Sequence, residues 1–290
     1  MKLLVKFNLM YVLVMALGVG VSGMITRNLL QDNAQEEVLN SARLMMDKAL
    51  AVRAYTSKQI TPLLETQMQY EFRPQSIPSY SAVEVLSALQ LKHPEFAYKE
   101  ATLNPTNLRD RATGWEVDIV GQFRNTAELK EFVGQRDTPA GRSLYIARPL
   151  RITDPACLRC HSSVDAAPKT MVDKYGPANG FGWNLNEVIG AQIMSVPMTL
   201  PIERAERSFR YFIGSLVGVF VVAGLLLNLL IWAVVVRPVT RLSALADRVS
   251  QGEMDAPEFA TGSRDEIGVL AESFARMRAS IVQAMRMLES

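Results

Sequence analysis

The chain has 290 residues, enough for two modest domains or one large one. Its formal net charge of +2 excludes the strong positive field of a nucleic-acid-binding protein. Its hydrophobic share, 49 %, is ordinary as an average but unevenly distributed, being concentrated in two blocks.

The first block, Phe7 to Ile25, contains no charge and is long enough to cross a bilayer as a helix. Its small residues Gly18-Val19-Gly20-Val21-Ser22-Gly23 also allow a cleaved signal peptide. The length of the run and the presence of a second span favour an uncleaved anchor. From Gln31 to about Leu64 the spacing of Val38, Ala42, Met45, Ala49, Val52 and Ile60 predicts a helix, ended or kinked by Pro62. A second helix is expected over Ser81 to Leu91, capped near Ser79 or Ser81 and stopped before Pro94. Asn104-Pro105-Thr106-Asn107 reads as a turn. Trp115 to Val120 alternates and predicts a strand; Leu144 to Ala147 predicts another, ending at Pro149. Tyr175 to Trp183, with three glycines and two aromatics besides its central Phe181, reads as irregular, and Ile189 to Met198 as a last strand. Helices followed by strands around a central loop define an α+β module. There is no internal repeat and no low-complexity tract.

The second block, Tyr211 to Val236, is again free of charge and reads as a membrane span. Lys2 and Lys6 precede the first span, and Arg237 and Arg241 follow the second, so the positive-inside rule places both ends in the cytoplasm. Arg204, Arg207 and Arg210 argue weakly the other way. The expected organisation is a cytoplasmic N-terminus (1–6), a first span (7–25), an exported domain (26–210), a second span (211–236) and a cytoplasmic tail (237–290). In the tail, Pro238 suits a helix start, and Leu242, Leu245, Ala246 and Val249 share one face. Gly252 breaks that helix, Gly262 lies in a connector, and Asp265-Glu266-Ile267-Gly268 opens the next. Ile267, Leu270, Phe274, Met277, Ile281, Ala284 and Leu288 recur at spacings of three and four, a heptad seam. Two short helices of this kind cannot bury both faces alone, and dimerisation into a parallel four-helix bundle solves that.

The most informative stretch is Cys157-Leu158-Arg159-Cys160-His161, which holds both cysteines and one of the two histidines. Two thiols three residues apart, followed at once by an imidazole, is the spacing for covalent haem attachment, with the histidine as proximal iron ligand. Three other readings share part of the pattern. Zinc needs four ligands, and beyond the pentad only His93 remains to join carboxylates. A dithiol redox motif has the same Cys-x-x-Cys spacing without needing the histidine. A structural disulfide gains little from so short a loop. Export of the domain places the pentad where haem attachment and disulfide chemistry both occur.

Two family resemblances carry further expectations. The stretch from about Val234 to Met287, through its Pro238 start, Gly252 break and Asp265-Glu266-x-Gly268 opening, resembles a HAMP domain, the signal relay of bacterial transmembrane receptors. The exported region resembles the periplasmic c-type haem-binding sensor domains. The matching stretches are Arg53-Ala54-Tyr55-Thr56, Tyr98-Lys99-Glu100-Ala101, Asn104-Pro105-Thr106-Asn107, Trp115-Glu116, Ala147-Arg148-Pro149, the pentad and Gly180-Phe181-Gly182-Trp183. That resemblance implies a PAS-like fold, haem c attached through Cys157 and Cys160, His161 as proximal ligand, and a signalling role. A cysteine ligand from the N-terminal helix, one possibility in the family, has no counterpart, because there is no third cysteine. The open candidates for the sixth ligand are His93 and Met45, Met46, Met68, Met171, Met194 and Met198, although methionine is more often gap-filling core. Arg53 and Tyr55 are candidates to line the distal side of the haem, and Arg53, Arg148 and Arg159 to pair with its propionates.

The expectation is a homodimeric, two-pass protein of the bacterial inner membrane: a PAS-like periplasmic sensor domain between two transmembrane helices, then a cytoplasmic HAMP bundle. It senses a redox change or a diatomic gas and relays it to a cytoplasmic signalling protein in trans, a kinase or similar, with no nucleic-acid partner. Two alternatives stay open, a membrane-anchored electron-transfer cytochrome and a haem-free ligand receptor with a thiol switch. No phosphate-binding loop with lysine and no Ser/His/Asp set appears, and no kinase, cyclase or long signalling hairpin follows the tail, so no enzyme is expected.

Overall fold

The computed structural model describes residues 3–139, 141–253, 257 and 265–289. They fall into two compact units, Arg27–Arg207 and the pair Met1–Thr26 with Ser208–Ser290.

The first unit is built on a four-stranded antiparallel sheet of order β1-β4-β3-β2, formed by β1 (Ala97–Thr102), β2 (Phe132–Thr138), β3 (Gly141–Arg151) and β4 (Val188–Pro197). Helices cover both faces. On one, α1 (Leu3–Tyr55) and α3 (Pro78–Gln90) bury Val38, Ala42, Met46, Ala49, Ala82 and Leu86 against Leu144, Ile146, Met194 and Val196. On the other, Ile119, Val120 and Phe123 of α4 (Trp115–Asn125) pack on Ala101, Ala147, Ala191 and Ile193. Alternation along the central strands divides them: Ile146 opposes Met194 on the α1 side, and Ala147 opposes Ile193 on the α4 side. The α1 stripe runs through Met46, fully buried, and not Met45, which packs at the edge of the cluster.

Several elements differ from expectation. Trp115–Val120 is helical, not a strand. Glu116, Ile119, Val120 and Phe123 are buried at helical spacings, and Glu116 Oε2 accepts from the Thr113 backbone N–H at 2.9 Å. Thr113-x-x-Glu116 is a capping-box signal that a six-residue alternation conceals. β3 runs through Pro149 to Arg151. α3 starts at Pro78, before both proposed serine caps, with Ile77 as its N-cap. The edge strands β1 and β2 carry Lys99, Glu100, Gln135, Arg136 and Asp137, polar residues typical of sheet edges, and so lack an apolar signature.

Pro62 does not stop its helix. A π-helical turn, Thr56–Ile60, precedes it, and α2 (Thr61–Met68) continues beyond. Proline lacks the N–H and crowds the carbonyl four residues back; the wider turn relieves both. The same device recurs at Trp232–Val236, two residues before Pro238.

In the second unit, the early part of α1 pairs with α7 (Thr199–Ile231), and both helices are long and apolar enough to cross a membrane. The pairing has a polar centre. The Asn8 and Asn228 amides exchange two hydrogen bonds of 2.7 Å, and the Tyr11 hydroxyl donates to the Phe220 carbonyl. Gly224 makes room for Tyr11, since a Cβ there would stand 2.8 Å from the ring. Asn8→Leu removes the cross-helix partner of Asn228, whose Nδ2 keeps only the Gly224 carbonyl of its own helix, and is expected to weaken the pairing by about 1 kcal/mol, read as a lower unfolding midpoint in detergent; Asn228→Leu added to it should cost little more.

α8 (Arg237–Ser250) buries Leu242 and Val249 and is followed by Gly252, whose φ is +92°. α9 (Glu266–Glu289) opens with Asp265 Oδ1 accepting from Gly268 N at 3.1 Å. Its seam is open in a single chain: Leu270 and Met277 are about half exposed. Gly262 of the expected connector and the Leu288 side chain of the expected seam lie outside the described residues.

Candidate functional site

The pentad sits on one short helical turn. Asp154 opens it, its carboxylate accepting from Ala156 N at 2.8 Å and its carbonyl from Cys157 N at 3.1 Å. A 3-10 turn, Pro155–Cys157, leads into α5 (Leu158–His161). Helical spacing then puts Cys157 and Cys160, three apart, on one side of the turn. Both are free thiols, partly exposed.

His161 is held by a loop twenty residues downstream. Its Nδ1–H donates to the Gly180 carbonyl at 2.7 Å, with Thr106 Oγ1 at 3.5 Å. Because a carbonyl only accepts, the proton is fixed on Nδ1 and Nε2 carries the lone pair. No described residue donates to Nε2. The imidazole stacks on Trp183 at 4.0 Å with planes 15° apart, and backbone bonds Trp183 N to His161 O and Gly182 N to Ser162 O tie the loop to the turn. Asn104 clamps the loop from behind, accepting from Gly180 N and donating to the Phe181 carbonyl, each at 3.1 Å. Burial pushes His161 below its ordinary value, opposed by the Gly180 carbonyl, so the ring is neutral at pH 7.

The thiols are pushed up, first by burial. Asp154 adds to the effect at Cys157, where Arg53 opposes it; at Cys160, Arg159 opposes it and Cys157 adds to it. A dithiol poised for exchange has a depressed value instead. Among the described residues, no group of three or more His, Cys, Asp and Glu side chains is arranged to hold a metal ion. The donor set fits a group attached through two thiols on one turn and ligated by a neutral imidazole Nε2, whose other nitrogen is oriented by a carbonyl.

The other candidates divide. Arg53, in the last turn of α1, pairs with buried Glu100 and is in electrostatic reach of Cys157. Tyr55 is 54 % exposed. Arg148 is engaged by Glu131 and Asp47, and exposed Arg159 by Glu65 at 3.4 Å. His93 is exposed and faces Glu95 and Phe96. Met46, Met194 and Met198 are core, Met45 flanks it, and Met171 is buried in α6 (Lys169–Tyr175). The Met68 sulfur accepts from Ser76 Oγ at 3.3 Å. The sequence by itself gives Asn104, Thr106 and Gly180 no role at the site; only the Asn-Pro turn and the glycine-rich stretch mark them.

Asp110 pairs with Arg109 and lies in the field of Glu100. Burial raises it to about 6, against lowering by Arg109 and Lys99 and further raising by Glu100. Between its ordinary value near 4 and about 6, the folded chain binds this proton more tightly than the unfolded one, so its contribution to stability is lost as pH rises through that window. Asp110→Asn is expected to stabilise the protein by about 1 kcal/mol at pH 7.5 after solvent screening, and not at pH 4, as read by urea unfolding at the two pH values.

Fold and site together define a class: a mixed helix-and-sheet domain with a Cys-x-x-Cys-His turn, bounded in sequence by two apolar helices and followed by a capped helical pair. The comparisons give that class a family. Residues 31–197 match the Tll0287-like family and residues 230–283 match the HAMP domain. The chain belongs to the Tll0287-like family, with a HAMP domain after it. The crystal structure of the cyanobacterial heme-protein Tll0287 is similar at a TM-score of 0.44 and 15 % identity, over 56 % of this chain and 95 % of that one. None of the curated proteins matches.

Proposed function

We propose that this protein is a membrane-bound haem sensor that passes a signal through its HAMP domain to a cytoplasmic partner in trans. Cys157 and Cys160 would hold a haem by thioether bonds, each thiol adding across one vinyl group with its hydrogen going to the terminal carbon and no net oxidation. His161 Nε2 is the proximal iron ligand. When bound, the group would supply an iron able to respond to redox state or to a diatomic gas. The chain itself carries out no catalytic step. The domain is PAS-like and periplasmic, anchored in the inner membrane by α1 and α7, and the open α9 seam is covered by the second chain of a homodimer.

The observation that carries this reading is the His161 Nδ1–H bond to the Gly180 carbonyl, because in a ring that burial keeps neutral it puts the proton on Nδ1 and leaves Nε2 bare, the state an iron ligand requires. The test is expression with a cytochrome maturation system, followed by a haem-stained denaturing gel and spectra under oxidant, reductant, NO, CO and O2. A stained band with a spectrum that responds to at least one of them is expected. No covalent haem sinks the reading, and a spectrum indifferent to all five sinks the sensor role.

A further inference from the structure

Among the described residues the buried carboxylates are Glu100 and Glu116. Glu116 has a structural use: it caps α4 at Thr113 N and takes Lys99 Nζ at 2.7 Å. Glu100 caps nothing. It stands in β1 on the side of the sheet covered by α1, beside Tyr98, which packs on the apolar cluster there. Burying an ion pair commonly costs as much desolvation as the attraction returns, so stability alone does not account for a Glu100–Arg53 pair at this place.

Its hydrogen bonds converge on the carboxylate from two sides. The Gln192 side-chain amide, buried in the central strand β4, donates to the Tyr98 oxygen at 3.1 Å. The Tyr98 hydroxyl donates onward to Glu100 Oε1 at 2.7 Å, and Glu100 Oε2 accepts from Arg53 Nη1. Across the β1–β4 ladder Glu100 is the register partner of Gln192, so the chain is anchored on the rigid sheet. Burial, then Glu100, drive the Tyr98 phenol up, and it remains a donor at any ordinary pH. Arg53 uses one of its five N–H groups in this chain and makes no other hydrogen bond among the described residues. Its charge is felt at Cys157, and no such effect of Arg53 is seen at Cys160, whose neighbouring cation is Arg159.

We propose that Glu100, braced by Tyr98 and Gln192, is a positioning residue that holds the Arg53 guanidinium at the Cys157 side of the candidate site. There the pair sets the local charge for the Cys157 sulfur and for the group bound at the pentad. The second half of the statement rests on the haem reading above; the first does not.

Two measurements on the full chain in detergent test it. In haem-free protein, the rates of iodoacetamide labelling at Cys157 and Cys160 are compared by peptide mass spectrometry, with circular dichroism as the fold control. Arg53→Gln is expected to slow Cys157 about threefold and leave Cys160 unchanged; Arg53→Lys restores part of the rate. Glu100→Ala, which releases the guanidinium, slows Cys157 likewise. Glu100→Gln, which keeps length and an acceptor but removes the opposing charge, does not slow it. Cys157 labelling at the wild-type rate in both Arg53→Gln and Glu100→Ala overturns the positioning role. In haem-loaded protein, the midpoint potential is expected to fall in Arg53→Gln and rise in Glu100→Gln; one potential shared by wild type and both variants overturns the effect on the bound group. A chain that takes up no haem overturns the haem reading and the part of this one that rests on it, while the labelling rates still decide the placement of Arg53.

Discussion

Replacing Cys157 and Cys160 together by serine is expected to abolish haem staining on a denaturing gel while leaving the domain folded. The two halves of this prediction have separate physical grounds. Staining depends on sulfur–carbon bonds that serine does not form under the same conditions, so the loss is complete. The fold should survive because both side chains are partly exposed on a single turn and free of any disulfide, and that turn is held by backbone bonds from Asp154 and the 180–183 loop. Loss of two partly buried sulfurs from such a site costs about 1 kcal/mol or less. Either single serine variant leaves one attachment, so staining persists at lower yield and the reduced absorption band moves to longer wavelength through the unreacted vinyl group. His161→Ala keeps both attachments and removes the ligand: staining remains, and the spectrum changes to that of an iron lacking its proximal imidazole. A double-serine chain that still stains would place the attachment elsewhere.

How much of this site the sequence shows depends on the reach of each interaction. The pentad is legible because its chemistry is local: two thiols and an imidazole within five residues lie together whatever the surrounding fold. Gly252 and the Asp265 opening of α9 are legible for the same reason, being capping signals confined to one turn. The holder of His161 is not legible, because Gly180 and Asn104 come together from positions 76 apart in the chain, and no periodicity connects an Asn-Pro turn to a glycine-rich loop. The sequence marks Arg53 together with Tyr55, but the fold brings Arg53 to Glu100 and leaves Tyr55 exposed. α4 is hidden for a different reason: Trp115 to Val120 alternates as a strand does, and the helical signal lies in Phe123 and in the Thr113–Glu116 box at the edges of that window. The seam of α9 is legible as a pattern of spacings, and in this chain its Leu270 and Met277 are about half exposed.

Gly180→Ala is the single substitution expected to damage the site most without touching a sulfur or the imidazole. Gly180 has φ of +86°, a region that side-chain-bearing residues avoid, and an added Cβ would stand 2.8 Å from the Thr106 Cα. Backbone cannot yield as a flexible side chain does, so strain and collision together are worth about 3 kcal/mol. The loop relieves them by moving away from Thr106, and the Gly180 carbonyl moves with it. His161 Nδ1–H then loses its acceptor and the imidazole its fixed orientation, a change that typically weakens a metal ligand 10- to 100-fold, on the order of what outer-sphere partners contribute elsewhere. The expected readings are a lowered unfolding temperature and, in haem-loaded protein, covalent haem retained with a disturbed iron spectrum. Asn104→Ala separates the two causes. It removes the clamps on Gly180 N and the Phe181 carbonyl without adding strain, so it should disturb the same spectrum at a cost of about 1–2 kcal/mol. If both act by displacing one loop, the double variant is less damaged than the sum of the singles. Fully additive losses would mean that Asn104 and Gly180 support His161 independently, and a Gly180→Ala protein with wild-type stability and spectrum would remove the carbonyl from any account of how this histidine is held.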